Sequence, residues 1–130
     1  MIYEITIGDK NEREALEEIV NTLQAKYGKP GNPKSTGLFV ISNHIGTQSS
    51  IAFWKDVIKN GPAFANPELF PWILANSACG VIARHFGITG PNFTYTGPTN
   101  VPSYLTQIIE RAKAEQVNFS LEEIWIVIIH

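Results

Sequence analysis

Apolar residues recur along the chain with two different periods. Residues 2–7 alternate, with Ile2, Ile5 and Ile7 apolar beside Tyr3 and Thr6, which predicts a short strand. Ala15, Leu16, Ile19, Val20 and Leu23 then follow helical spacing and predict an amphipathic helix to about Tyr27. Asp9 precedes Glu12 at capping-box spacing, Gly28 is placed to cap the C-terminus, and Pro30 stops the helix. The stretch GKPGNPKST is loop by composition, and GLFVIS (37–42) is a continuous β-rich apolar run. Such a run predicts a strand buried on both faces.

Asn43, His44, Ile45 and Gly46 form a polar turn after that strand, and Ser49 or Ser50 is expected to cap a helix through Asn60. Gly61, Pro62, Pro67 and Pro71 make 61–71 a loop or a set of tight turns. A second helix is expected from about Trp72 through ILANSACGVIARHF, closed by Gly87. Its small residues Ala75, Ser77, Ala78, Cys79 and Gly80 predict close approach of another backbone. NFTYT (92–96) alternates as a strand. Residues 104–114 place Leu105, Ile108, Ile109 and Ala112 on one helix face, and IWIVII (124–129) is the last strand. Strands alternating with helices predict an α/β domain whose sheet is mostly parallel and covered by helices.

Length and composition narrow the picture. The 130 residues suit one domain, 1–130, and 44% hydrophobic with 17% charged residues is a globular balance. Net charge is −2 without a basic block, so nucleic acid and membrane surfaces are not expected partners. The single cysteine, Cys79, excludes an intrachain disulfide framework. No apolar run approaches the roughly 18 residues of a membrane span, and the N-terminus turns polar too early for a signal peptide. The cytoplasm is the expected location. The three histidines, His44, His85 and His130, are far apart and lack metal-ligand spacing, so no metal is expected. Gly-x-Gly-x-x-Gly is absent, and no cofactor is expected.

The segment GPAFANPELFPWILANSACGVIARHFGITGPNFTYTG resembles the middle of the N-terminal half of a β-ketoacyl synthase. NPELFP is similar to that family's Pro- and Phe-containing loop. ILANSACGVIARHFGI resembles its small-residue helix, and GPNFTYT its Gly-Pro-Asn strand; the three occur in order without gaps. GLFVISNHIGT upstream resembles the strand and glycine turn before this region. The helix over 104–114 and IWIVII resemble the helix after the nucleophile and the strand beyond it. The resemblance implies a thiolase-like half-domain with a five-stranded, mixed but mostly parallel sheet. Counting from Gly90-Pro91-Asn92, the position of the family's nucleophilic cysteine falls on Thr99, and that of a glycine three residues later on Pro102. A hydroxyl has a far higher pKa than a thiol and needs a dedicated base. The two histidines and lysine of the family's C-terminal half have no counterpart in this sequence. The resemblance therefore implies a degenerate synthase that is not an enzyme, a partner or scaffold in fatty-acid or polyketide-type acyl assembly. A small acyl-ligand binding module is the first alternative. The second is a residual acyltransferase or hydrolase using Thr99 or Ser103, although the sequence offers no base near either.

The remaining residues have plainer readings. Thr99 is a turn or helix-start threonine, His44 a turn histidine, His85 solvent-facing, and His130 a frayed end. Ser77 and Cys79 favour close helix packing over an acyl channel. Phe64, Phe70 and Trp72 read as core or interface rather than a fatty-chain pocket. Glu12, Glu14, Glu17 and Glu18 form a solvated helix face. The resemblance also implies that the strand containing Asn92, Phe93, Thr94, Tyr95 and Thr96 pairs with its twin across a two-fold axis. A homodimer, or a heterodimer with a competent ketosynthase, is expected, with an acyl-carrier protein as a further partner.

Overall fold

A computed structural model of the chain describes residues 2–8, 10–43, 47–74, 76–97, 99, 106, 107, 110, 114 and 121–130. The described elements are β1 (Ile2–Ile5), α1 (Glu12–Tyr27), β2 (Thr36–Ser42), α2 (Thr47–Asn60), α3 (Ser77–Phe86), β3 (Asn92–Thr96) and β4 (Glu123–Ile129). Short 3-10 turns fill Pro33–Ser35, Pro62–Phe64 and Pro67–Trp72. The strands form one sheet in the order β1-β4-β2-β3, with every neighbouring pair parallel.

The expected sheet had five strands of mixed direction; among the described residues it has four, all parallel. Parallel neighbours require long crossovers, and α1 lies between β1 and β2 while α2 and α3 lie between β2 and β3. The helix expected over 104–114 falls largely outside the described residues.

The two continuous apolar runs take the two central positions. All of β2 is buried, and so are the last five residues of β4. Leu38, Val40, Trp125, Val127 and Ile129 face α1 and α3, meeting Leu16, Ile19, Leu23, Ile82 and Phe86. Phe86 stands edge-on to Trp125 with ring centroids 4.9 Å apart. The opposite face carries Phe39, Ile41, Ile126 and Ile128, with Phe93, Tyr95 and Ile124 packed against them. Burying a side chain of this size contributes about 1.5–3 kcal/mol, so the β4–β2 pair is the energetic centre of the fold.

Several local expectations shift. The N-cap of α1 is Asn11, whose side chain accepts from the Glu14 N–H; Asp9, which the spacing favoured, lies outside the described residues. Gly28 and Gly87 close α1 and α3 at positive φ, as their positions predict. The helix α2 begins at Thr47, so Ser49 lies in its first turn instead of capping it. The second helix begins at Ser77, not near Trp72, because Pro67 and Pro71 hold 67–72 in a 3-10 turn.

Glu12 departs most from expectation. It is 2% exposed, not part of a solvated face. Its carboxylate accepts from the Ser49 N–H at 3.3 Å and from Ser49 Oγ at 2.6 Å. A helix N-terminus has free N–H groups and a positive dipole end, and both favour a carboxylate there. Glu14, Glu17 and Glu18 remain exposed.

Small residues also divide by role. A Cβ on Gly90 would lie 2.2 Å from the Thr36 carbonyl oxygen, where the chain entering β3 runs beside the start of β2. Among the described residues nothing lies within 4 Å of a Cβ placed on Gly80, so none of them makes a close backbone approach there.

Two stability predictions follow from these contacts. Gly90→Ala should destabilise the protein by about 2–3 kcal/mol through overpacking, whereas Gly80→Ala should stabilise it by up to about 1 kcal/mol through helix propensity. Urea unfolding of the two variants checks the contrast, and equal midpoints would refute the placement of Gly90. Glu12→Ala should cost about 1–3 kcal/mol by leaving the first turn of α2 unsatisfied, read by the same titration.

Candidate functional site

The carboxyl ends of all four strands open on one side of the sheet. In open parallel sheets ligands bind outside those ends, where neighbouring connections diverge. Here β2 leads outward to β3, and the chain then returns across β2 to place β4 in the middle. Thr99 follows β3 and His130 follows β4, so both belong to this rim.

His130 is held by the sheet, contrary to the expectation of a frayed end. Its N–H donates to the Ile5 carbonyl at 2.8 Å, and its carbonyl accepts from the Ile7 N–H at 3.4 Å. These bonds extend the β1–β4 ladder by one residue. On the other side, the Gly97 N–H donates to the Ser42 carbonyl at 3.0 Å, carrying the β2–β3 ladder past Thr96. Thr99 lies in a bend two residues beyond that anchor.

The two side chains meet across the top of β2. Thr99 Oγ1 is 2.7 Å from His130 Nδ1, and His130 Nε2 is 3.4 Å from a Glu4 carboxylate oxygen. The imidazole is one-third exposed and the Glu4 side chain 60% exposed. The row can hold and pass a proton, because an imidazole with its proton on Nε2 presents a lone pair at Nδ1. The sequence offered no base near Thr99; the fold supplies one from the end of the last strand.

The only thiol is placed elsewhere. Cys79 lies on α3, buried against β3, with its sulfur 3.6 Å from Asn92 Oδ1 and 3.9 Å from the Phe93 carbonyl. Burial pushes the thiol up from its ordinary value, and hydrogen bonds with Thr94 and Phe93 pull it back only in part. A protonated, enclosed thiol is neither a nucleophile nor a ligand at neutral pH. A shallow depression of about 260 Å³ lined by Asn76, Cys79, Gly80, Ala83, Asn92 and Thr94 adjoins it.

Other candidates disperse. Ser77 Oγ donates to the Pro71 carbonyl. Phe64 and Phe70 are exposed, while Trp72 packs against the main core, so the three do not line one pocket. His85 is exposed and edge-on to Phe86. His44, Ala75, Pro102 and Ser103 lie outside the described residues. Among the described residues no group of His, Cys, Asp and Glu gathers as a metal site, and no helix is long and apolar enough to cross a membrane.

Asn92, Phe93, Thr94, Tyr95 and Thr96 form the outermost of the described strands. The Leu38 N–H donates to the Pro91 carbonyl, which turns alternate backbone groups of β3 toward β2 and those of Asn92, Thr94 and Thr96 toward the outer edge. Phe93 stacks on Phe39 at 5.2 Å.

No protein-family model matches the chain, and no curated protein matches it.

The raised thiol predicts a pH effect of definite sign. Native Cys79 keeps its proton where the unfolded chain loses it, so its contribution to stability should be constant below about pH 9 and decline as pH rises above it, a decline that Cys79→Ala should remove. Iodoacetamide should alkylate the native protein about two orders of magnitude more slowly than the urea-unfolded chain, since attack requires opening of the core. Equal rates, read by mass spectrometry, would place the thiol at the surface.

Proposed function

We propose that this chain is a thiolase-like half-domain, similar to the N-terminal half of a β-ketoacyl synthase, that no longer condenses acyl groups on a cysteine. It serves as a cytoplasmic partner or scaffold in fatty-acid or polyketide-type acyl assembly. The observation that carries this reading is the position of Thr99. It follows the Gly90-Pro91-Asn92 strand at the carboxyl end of a parallel sheet, where the resemblance puts the nucleophile, and it bears a hydroxyl. The chain's one thiol is enclosed between α3 and β3 and keeps its proton. Condensation through a thiolate has no group to start from at either place.

The partner role draws its support from β3. Outermost among the described strands, β3 is short and turns the backbone groups of Asn92, Thr94 and Thr96 outward, and such an edge gains hydrogen bonds by pairing with another strand. A two-fold axis beside it pairs β3 with its own copy, or with the equivalent strand of a full ketosynthase.

Sedimentation at about ten micromolar and above tests the self-pairing. Thr94→Pro removes the outward N–H at the middle of β3 and leaves the bonds to β2 in place. It should convert a dimer to monomer, whereas Thr94→Val should remain dimeric. If the protein is monomeric alone, co-purification with a ketosynthase or an acyl-carrier protein decides between the hetero-partner and no partner. Binding to neither, together with a monomer, would overturn the reading.

A further inference from the structure

We propose that the outward face of α2 pairs two copies of this chain, helix against helix and antiparallel. This interface is separate from β3 and does not rest on the partner role read there.

The helix is inverted relative to an ordinary surface helix, which turns its apolar stripe inward. The side of α2 that touches the rest of the chain carries Ser49, Ser50, Phe53 and Asp56. Ser49 bonds to Glu12, Ser50 to the Ile73 carbonyl and Asp56 to the Asn66 N–H, while Phe53 stands edge-on to Phe70. The side turned away carries Ile51, Trp54 and Ile58, all exposed. With Thr47, also exposed, they follow one another at steps of four, three and four residues. That spacing is the narrow seam by which one helix packs along another.

The area of the face matches a protein interface. At their fractional exposures Ile51, Trp54 and Ile58, together with Phe64, Phe70 and Leu74 of the segment that follows, present on the order of 700–800 Å². The largest apolar patch on a typical monomer is about 300–600 Å². A standard interface takes about 800 Å² from each partner.

Charge selects a second copy and its direction. The charged residues of α2, Lys55, Asp56 and Lys59, all lie in its second half, and Thr47–Phe53 contains none. The Asp56 carboxylate is engaged by Asn60 and the Asn66 N–H, and both lysines are exposed. A parallel pair would bring the lysines of the two copies together, which costs affinity. An antiparallel pair lays them along the uncharged half of the other helix. Ile51 then faces Trp54 of the second copy and Thr47 faces its Ile58, related by a two-fold axis. Pairing must also hold still a helix that few contacts tie to the body. That ordering weakens it to a dissociation constant on the order of 10² micromolar, well above the ten micromolar or so at which β3 is read.

Sedimentation of the full chain carrying Thr94→Pro, from about ten to about five hundred micromolar, tests the pairing without a contribution from β3. The mass should double over that range. Ile58→Glu should abolish the doubling and Ile58→Leu should keep it, with unchanged thermal midpoints because the side chain is exposed. Cysteine mapping is done without Thr94→Pro, so it stands even where that variant fails to fold. Under mild oxidation a mixture of Thr47→Cys and Ile58→Cys chains should give a linked pair in about tenfold higher yield than either variant alone. Cys79 is buried and does not compete. A constant mass, doubling undiminished in Ile58→Glu, or equal linking of Thr47→Cys alone would overturn the proposal. Flotation on phosphatidylglycerol vesicles that Ile58→Glu abolishes, with a constant mass, would assign the seam to a lipid surface and overturn it as well. Loss of β3 pairing and loss of α2 pairing are read in different variants, so either can fail without the other.

Discussion

Insertion of β4 between β1 and β2 is the constraint on which the rest of the molecule depends. Among the described strands, β1 pairs with β4 alone, and Ile2 is registered with Ile126. The sheet therefore closes only when the two ends of the sequence meet. The entropic cost of such a closure grows slowly with loop length, but it precedes the contacts that repay it. The return lies in β4 itself, whose last five residues are buried with side chains on both faces of the sheet. The same insertion delivers His130 to the rim, between Glu4 of β1 and Thr99 after β3. Core and candidate site are thus consequences of one pairing.

Much of this architecture was legible in local patterns. GLFVIS and IWIVII lack polar alternation, and strands of that kind occupy the interior of a parallel sheet; they are β2 and the body of β4. NFTYT alternates and contains two threonines, and it lies at the edge of the described strands. What periodicity could not supply was competition between neighbouring signals. Capping-box spacing pointed to Asp9 and passed over Asn11, whose side chain accepts from the Glu14 N–H. Trp72 starts an apolar run, yet Pro67 and Pro71 keep that stretch in a 3-10 turn and delay α3 to Ser77.

The candidate site was less legible for a different reason. Motif rules read residues at fixed short spacings, and Thr99, His130 and Glu4 obey none. Glu4 and His130 are 126 positions apart, and Thr99 and His130 are 31 apart. Only strand order brings them together, and order is not encoded in any one segment. Glu12 was hidden in the same way. On the wheel of α1 it resembles the exposed Glu14, Glu17 and Glu18, and its burial comes from the first turn of α2, a separate element. A carboxylate taken from water is tolerated there because Ser49 supplies donors from both its backbone and its hydroxyl.

That contact also divides the molecule energetically. The helices α1 and α3 lie on the sheet and on each other, whereas α2 packs chiefly on the 3-10 turns 62–64 and 67–72. Along α2, Ile51, Trp54 and Ile58 face outward, with Trp54 63% and Ile58 82% exposed. This helix buries little of its apolar surface, and among the described residues its side-chain hydrogen bonds to the rest of the chain join Ser49 to Glu12, Ser50 to the Ile73 carbonyl and the Asp56 carboxylate to the Asn66 N–H. Local opening free energies follow buried apolar contact and protected hydrogen bonds. The α2 region therefore opens at lower free energy than the β4–β2 core, and Glu12 is the pin between them. Glu4 and His130 belong to the strongly paired β1 and β4 instead, whereas Thr99 lies in a bend beyond β3, so the contact between Thr99 and His130 depends on the sheet and on that bend together.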